Sequence, residues 1–308
     1  MRVSFFKVLV DTAKTHKDIY LLTADLGFKL FDSFRTQFPE RFFDIGVAES
    51  NMIGIASGLS LCGKNVYCYS IIPFLTMRAF EQIRIDIAYQ NLNVKLIGVG
   101  CGFTYGLEGF THFGLEDISL MRSLPNMNIV VPADPLESQC LAKITSEHEG
   151  PLYIRLGRSN EPVIHNSIPD FKIGKAMILK EGKEVTLFAI GNMVFIALQV
   201  ADMLKNRGID TTIVNMHTIK PLDTGLVREI ASIYKAIFSL EEHSINGGLG
   251  TAIAEVLAET GYSGIFKRFG IPNELSGHVG KADYLREQYG LSPDKIFQKI
   301  LTLMKGQT

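Results

Sequence analysis

Glu49 stands in IGVAESNM (residues 45–52), at the start of a run rich in small residues, NMIGIASGLSLCG. A glutamate in a first helical turn is favoured by the helix dipole and by capping. One that is partly withdrawn from water can instead carry a proton. Gly54, Ala56, Ser57 and Gly58 let another backbone approach the helix, so close packing, such as a subunit contact, is expected there. His112 lies in GCGFTYGLEGFTHFG (100–114), a glycine-rich segment too long and too apolar for a passive connector. Its imidazole is open to a structural hydrogen bond or to catalysis. Phe74 and Arg78 belong to YSIIPFLTMRAFEQIR (69–84), by default a core aromatic and a surface charge. Arg155 and Arg158 in YIRLGR suit either a phosphate or a neighbouring carboxylate. The run Gly247–Gly250 (GGLG) precedes a helix, but no GxGxxG follows the first strand and no Walker sequence occurs, so a glycine turn for close helix packing is expected.

These residues need a scaffold, and the pattern around them is α/β, with mainly parallel sheets flanked by helices. Candidate strands are 19–24, 42–46, 65–71, 94–99, 127–131 and 152–156, then 185–190, 211–216, 236–240 and 265–269. Helical periods lie between them, including a first helix with Val3, Phe6, Leu9 and Val10 on one side and others over 77–89, 135–148, 193–206, 250–259 and 293–305. The segment SNEPVIHNSIPD has no period, which predicts two domains, 1–158 and 173–308, joined by a linker over 159–172. Parallel sheets bind ligands at the carboxyl ends of their strands, where Glu49, His112 and the 241–250 segment fall.

The 308 residues carry 31 Lys plus Arg against 32 Asp plus Glu, so no global charge attracts nucleic acid. Four cysteines without CxxC spacing predict neither a zinc site nor a disulfide framework, but reduced thiols in the cytoplasm. The longest uncharged run, 185–201, is interrupted at Gly191-Asn192 and reads as strand, turn and helix rather than as a membrane span. No targeting segment is expected at the amino end.

Ordered motifs across the whole length resemble the C-terminal half of transketolase-type enzymes, a pyrimidine-binding domain followed by the transketolase C-terminal domain. They are TADLG (23–27), IGVAESNMIGIASGL (45–59), LEGFTHFGLEDISLMRSLPNM (107–127), VVPAD (130–134), GPLYIRLGR (150–158) and IKPLD (219–223). The resemblance implies a thiamine diphosphate-dependent transferase that moves two-carbon ketol units between sugar phosphates or related sugars. Glu49 would then bond to the cofactor's aminopyrimidine and relay the proton that activates it, Phe74 would stack on that ring, and Asp25 and Leu26 would line the cofactor. His112 would contact the donor sugar, and Arg158, helped by Arg78, would hold the sugar phosphate. The family's GDG-containing metal and diphosphate motif does not occur in the sequence. The resemblance therefore implies a split enzyme, in which a separate N-terminal subunit ligates Mg²⁺. Cofactor would be bound across the interface of an α₂β₂ assembly, with self-association of this chain.

The match has departures. The family's acidic-Gly-x-Thr-His-Gln reads Glu108-Gly109-Phe110-Thr111-His112-Phe113, and Ser50-Asn51 follows Glu49 where many split members have Gln-Asn. An unusual sugar is compatible with both. Deoxyxylulose-phosphate synthase shares the features of 69–84 but is normally one long chain. A 2-oxoacid dehydrogenase beta subunit shares the domain pair but fits the TxHF loop and IRLGR less well. A non-catalytic module of the same fold would have little reason to keep Glu49, His112 and Arg158 together.

Overall fold

In the computed structural model, which describes residues 1–158, 161–274 and 277–305, α1 (Arg2–Ala13) buries Phe5, Phe6, Leu9, Val10 and Ala13 along one stripe. Val3, expected on that stripe, is instead 64% exposed, because the buried set begins at Phe5. Strand β1 (Ile19–Thr23) follows, then α2 (Asp32–Gln37), β2 (Phe42–Asp44), α3 (Glu49–Leu61) and β3 (Asn65–Ile71). The next helix is composite: α4 (Phe80–Gln82) lies between two π-helical segments, Phe74–Arg78 and Ile83–Tyr89. Then come β4 (Val94–Val99), α5 (Asp117–Arg122), β5 (Asn128–Val130), α6 (Pro135–Glu147) and β6 (Leu152–Leu156).

The chain divides into two compact units, Met1–Cys101 with Leu120–Phe171, and Gly102–Ser119 with Lys172–Thr308. The glycine-rich segment around His112 therefore belongs to the second unit. The expected linker, 159–172, begins with two residues that lie outside the described ones.

The strands of the first unit run in the order β5-β6-β4-β3-β1-β2, every neighbouring pair parallel. Strands β3, β4 and β6 are buried throughout, as expected when helices cover both faces. Because β2 lies on one side of β1 and β3 on the other, the chain leaves β1 in both directions, and a ligand crevice is expected at the carboxyl ends of β1 and β3. At the opposite, amino-terminal ends of the strands lies Lys95, near the start of β4. Its ammonium donates to the carbonyl oxygens of His148 (2.7 Å) and Gly150 (2.9 Å) and to the Asn93 side chain, and burial draws the amine down to about 7.

Helix α6 starts where the sequence dictates. Asp134 caps it by accepting the Glu137 N–H at 2.8 Å, with Pro135 in the first turn. The Glu137 carboxylate reaches back to the Ala133 N–H at 2.7 Å.

The second unit contains β7 (Met177–Lys180), β8 (Val185–Ala189), α7 (Met193–Lys205), β9 (Thr211–Asn215), β10 (Thr218–Lys220) and α8 (Thr224–Ile233). It ends with β11 (Ala236–Ser244), α9 (Leu249–Glu259), β12 (Ile265–Ile271), α10 (Ala282–Gln288) and α11 (Pro293–Lys305). Its sheet has the order β12-β11-β8-β9-β7, parallel except for the antiparallel edge strand β7. The Glu241 carboxylate accepts the N–H groups of Leu249 (2.7 Å) and Gly250 (2.8 Å), so the start of α9 is capped from within. A Cβ on Gly248 would lie 2.0 Å from that carboxylate, which is why glycine stands there. Among the described residues no helix is long and apolar enough to cross a membrane.

Candidate active site

Three neighbouring strands of the first unit deliver the expected residues. The turn after β1 carries Asp25 and Leu26, the turn after β2 leads into α3 at Glu49, and β3 ends just before Phe74. Since the strands lie in the order β3-β1-β2, these segments emerge at the crevice that the topology predicts.

Glu49 is 1% exposed, so its carboxylate needs partners inside the fold. The Ser70 hydroxyl, near the end of β3, donates to Oε1 at 3.0 Å. Arg78 Nη1 donates to Oε2 at 2.6 Å, a charge-assisted bond. The same guanidinium lies over the Phe74 ring, 4.6 Å from its centroid. Phe74 and Arg78 are the first and last residues of a π-helical segment, a distortion that often marks functional sites. The Ser50 hydroxyl, beside Glu49, donates to the Arg78 carbonyl at 3.1 Å and ties α3 to that segment.

Asp25 adopts a left-handed backbone conformation, φ 53°, which aspartate tolerates better than most residues. Its N–H and that of Gly46 both bond to Oδ1 of Asp44, at 2.9 and 3.0 Å. The Leu26 carbonyl accepts from the Thr23 hydroxyl at 3.1 Å. Asp25, Leu26, Phe28, Phe31, Arg35 and Asp44 line a cleft of about 270 Å³. A larger cleft of about 520 Å³ lies in the second unit, beside Arg228, Tyr234 and Tyr262, at the amino-terminal side of β11 and β12, away from the strand ends where such sheets bind ligands.

Arg158 is exposed just beyond β6, whereas Arg155 is buried within that strand. The structure thus brings Arg78 to Glu49 and Phe74, an alliance that residue type and spacing do not reveal. His112 sits in a short 3₁₀ turn of the second unit, Phe110–His112, with its Nδ1 2.9 Å from the Thr111 hydroxyl. The two aromatics that flank it have different fates. Phe113 is buried edge-on against Phe103 at 5.1 Å, and Phe110 is 62% exposed. The residue that replaces the family's glutamine therefore serves the core.

Residues 1–163 match the model of the transketolase pyrimidine binding domain, and residues 174–296 match that of the transketolase C-terminal domain. The chain belongs to the transketolase family. A relative named as a putative transketolase C-terminal section, from Methanocaldococcus jannaschii, is 39% identical, with 100% of this chain and 97% of that one aligned. A subunit of an apulose-4-phosphate transketolase from Phocaeicola vulgatus is 36% identical over 99% of this chain and 97% of its own. Among solved structures, a split-gene transketolase described as an inactive beta4 tetramer superposes with a TM-score of 0.88 at 39% identity, covering 98% of this chain and 97% of that one. Along almost its whole length, this transketolase-family chain thus aligns with proteins named as C-terminal sections or subunits of transketolases.

Two residues of the candidate site escape a reading of the sequence alone. Ser70 shows there only as a hydroxyl in the otherwise apolar end of β3, and Asp44 as an acid two residues before a glycine. Neither signal is specific without the fold.

Proposed function

We propose that this chain supplies the pyrimidine-binding half of a thiamine diphosphate site that transfers a two-carbon ketol unit between sugar phosphates or related sugars. The observation that carries this reading is that Glu49 and Phe74 share one partner, the Arg78 guanidinium. A buried carboxyl group and an aromatic face thus meet one and the same planar group, the guanidinium. An aminopyrimidine needs that pair, a ring to stack on and a carboxyl to bond with, so these residues fit the group.

When bound, the cofactor supplies the nucleophilic carbon that takes up and gives back the two-carbon unit. Glu49 holds a proton at a carboxyl oxygen and exchanges it with the ring, with the Ser70 hydroxyl fixing the other oxygen. Phe74 orients the ring, and the Asp25-Leu26 turn lines its approach. Arg158 binds the substrate phosphate as a charged, exposed donor. His112 orients the donor sugar.

Mg²⁺ and the diphosphate fall to an N-terminal partner subunit. Among the described residues, the one cluster with metal-ligand character, Asp134, Glu137 and His165, is engaged in capping α6 and in bonds to the 164–165 backbone. A Cβ on Gly54 or Gly58 of α3 would meet nothing within 4 Å, and Leu61 is 65% exposed, which suits a helix covered by another subunit. An α₂β₂ assembly with contacts between copies of this chain accords with that face.

The test is reconstitution with a similar-sized chain carrying the GDG motif. Transfer from a ketose phosphate to an aldose phosphate should need both chains, thiamine diphosphate and Mg²⁺. Full turnover by the isolated chain, or none by the assembled pair with any sugar phosphate couple, would overturn the reading.

A further inference from the structure

We propose that Arg78 holds the place of the cofactor's pyrimidine ring and must leave it before the cofactor is bound, so that this side chain sets how tightly the cofactor loads. The inference rests on the functional reading above and goes beyond it. A guanidinium is a planar, delocalised cation that stacks on aromatic faces and donates to carboxylates in a fixed fork. Arg78 uses both properties at once, donating to Glu49 Oε2 at 2.6 Å and lying 4.6 Å from the Phe74 centroid. These are the two groups that the reading assigns to the ring.

Geometry sets the two occupants in competition for Oε2 of Glu49 and for the Phe74 face. With Ser70 donating to Oε1 and Arg78 donating to Oε2, both oxygens of Glu49 act as acceptors. A pyrimidine ring nitrogen is also an acceptor. A bond between it and Glu49 requires a proton on the carboxyl group, and a guanidinium has no acceptor site for that proton to face. Where the ring takes the proton-bearing Oε2, with Ser70 keeping Oε1, Arg78 gives up that oxygen. The burial of the pair shows which partner moves: the Glu49 side chain is 1% exposed and that of Arg78 is 44% exposed. The arginine already borders solvent and the glutamate does not.

While Arg78 stays, Glu49 is neutralised and the Phe74 face is covered, so neither is left bare at the crevice. The same contacts oppose loading, since a charge-assisted bond must break first, equivalent to roughly a ten- to hundredfold weaker cofactor affinity. Arg78→Met keeps most of the apolar stem and removes the competing cation. Arg78→Lys keeps the charge without the planar fork.

The experiment is calorimetric titration of thiamine diphosphate, with Mg²⁺ present, into the complex of this chain with its N-terminal partner. Arg78→Met should bind the cofactor about ten- to a hundredfold more tightly than wild type, with Arg78→Lys between them. In the wild-type complex, which needs no substitution, the ¹⁵Nε resonance of Arg78 should move on loading toward that of a hydrated guanidinium. Equal or weaker binding by Arg78→Met, or an Arg78 resonance unmoved by cofactor, would overturn the proposal. Failure of the functional reading looks different: Glu49→Gln and Phe74→Ala would both leave cofactor affinity unchanged.

Discussion

A single oxygen of the Asp44 carboxylate, Oδ1, accepts the backbone N–H of Asp25 at 2.9 Å and that of Gly46 at 3.0 Å. Asp44 thereby joins the Asp25-Leu26 turn to the turn that leads into Glu49. Asp25 has a positive φ and gains nothing from regular strand pairing, so this bond is what fixes its backbone. Asp44→Ala should leave the fold and partner assembly in place and weaken cofactor binding in the complex about tenfold, or ~1.4 kcal/mol. Asp44→Asn retains an acceptor at the same atom and should restore most of the loss. Calorimetry on both variants checks this.

Arg158 and His112 are assigned to the substrate rather than the cofactor. Alanine at Arg158 should raise KM for a phosphorylated substrate roughly ten- to a hundredfold, the loss of ~1.5–3 kcal/mol expected for a charged contact. Alanine at His112 should reduce kcat/KM for the donor. Neither should alter cofactor affinity, and steady-state kinetics beside cofactor titration separates the two effects.

Away from the site, His165 Nε2 lies 2.6 Å from Glu137 Oε1, and the Asp134 carboxylate accepts the N–H groups of Ile164 and His165. The hydrogen bond to Glu137 raises the His165 pKa above its usual 6.5, and burial raises that of Glu137. Both groups therefore bind protons more tightly in the folded chain than in the unfolded one. The contribution of His165 is fully present below about 6.5 and is lost as pH rises through its higher folded-state pKa. Lys95, drawn down to about 7, pulls the other way, so the His165 contribution is read as a difference: in urea unfolding, the stability lost in His165→Gln should be largest near pH 6 and shrink toward pH 9.

Much of this is legible in the sequence because strand and helix periods in a buried parallel sheet are strong signals. The runs at β3, β4 and β6 coincide with the expected strands residue for residue, and α6 begins at its Asp-Pro cap. Strand β7 is not among the expected strands. It is a short, half-exposed edge strand, MILK, without the apolar density of the interior strands. The helix expected over 77–89 begins earlier and is π-distorted, since periodicity finds a buried face but not an extra residue within a turn. In the site, Glu49 and Phe74 are found by type and motif. Their link through Arg78 is not, because a contact across a π-helical turn depends on backbone geometry that spacing does not encode. Phe113 reads in the sequence as a departure from the family's glutamine, and its burial against Phe103 shows a packing role that only tertiary structure reveals.

The central claim is that the Glu49 carboxyl carries a proton for the cofactor, and glutamine tests it at nearly constant volume. Glu49→Gln can still bond to a ring but cannot relay a proton. Hydrogen–deuterium exchange at the thiazolium C2 position should be followed in the reconstituted complex, wild type beside variant, with the cofactor saturating. The account predicts exchange slowed by at least about a hundredfold, the low end for general acid–base catalysis. If Glu49 merely favours a helix start, the change alters stability by roughly 0.3–1 kcal/mol and spares the exchange. A variant exchanging at the wild-type rate would contradict the account.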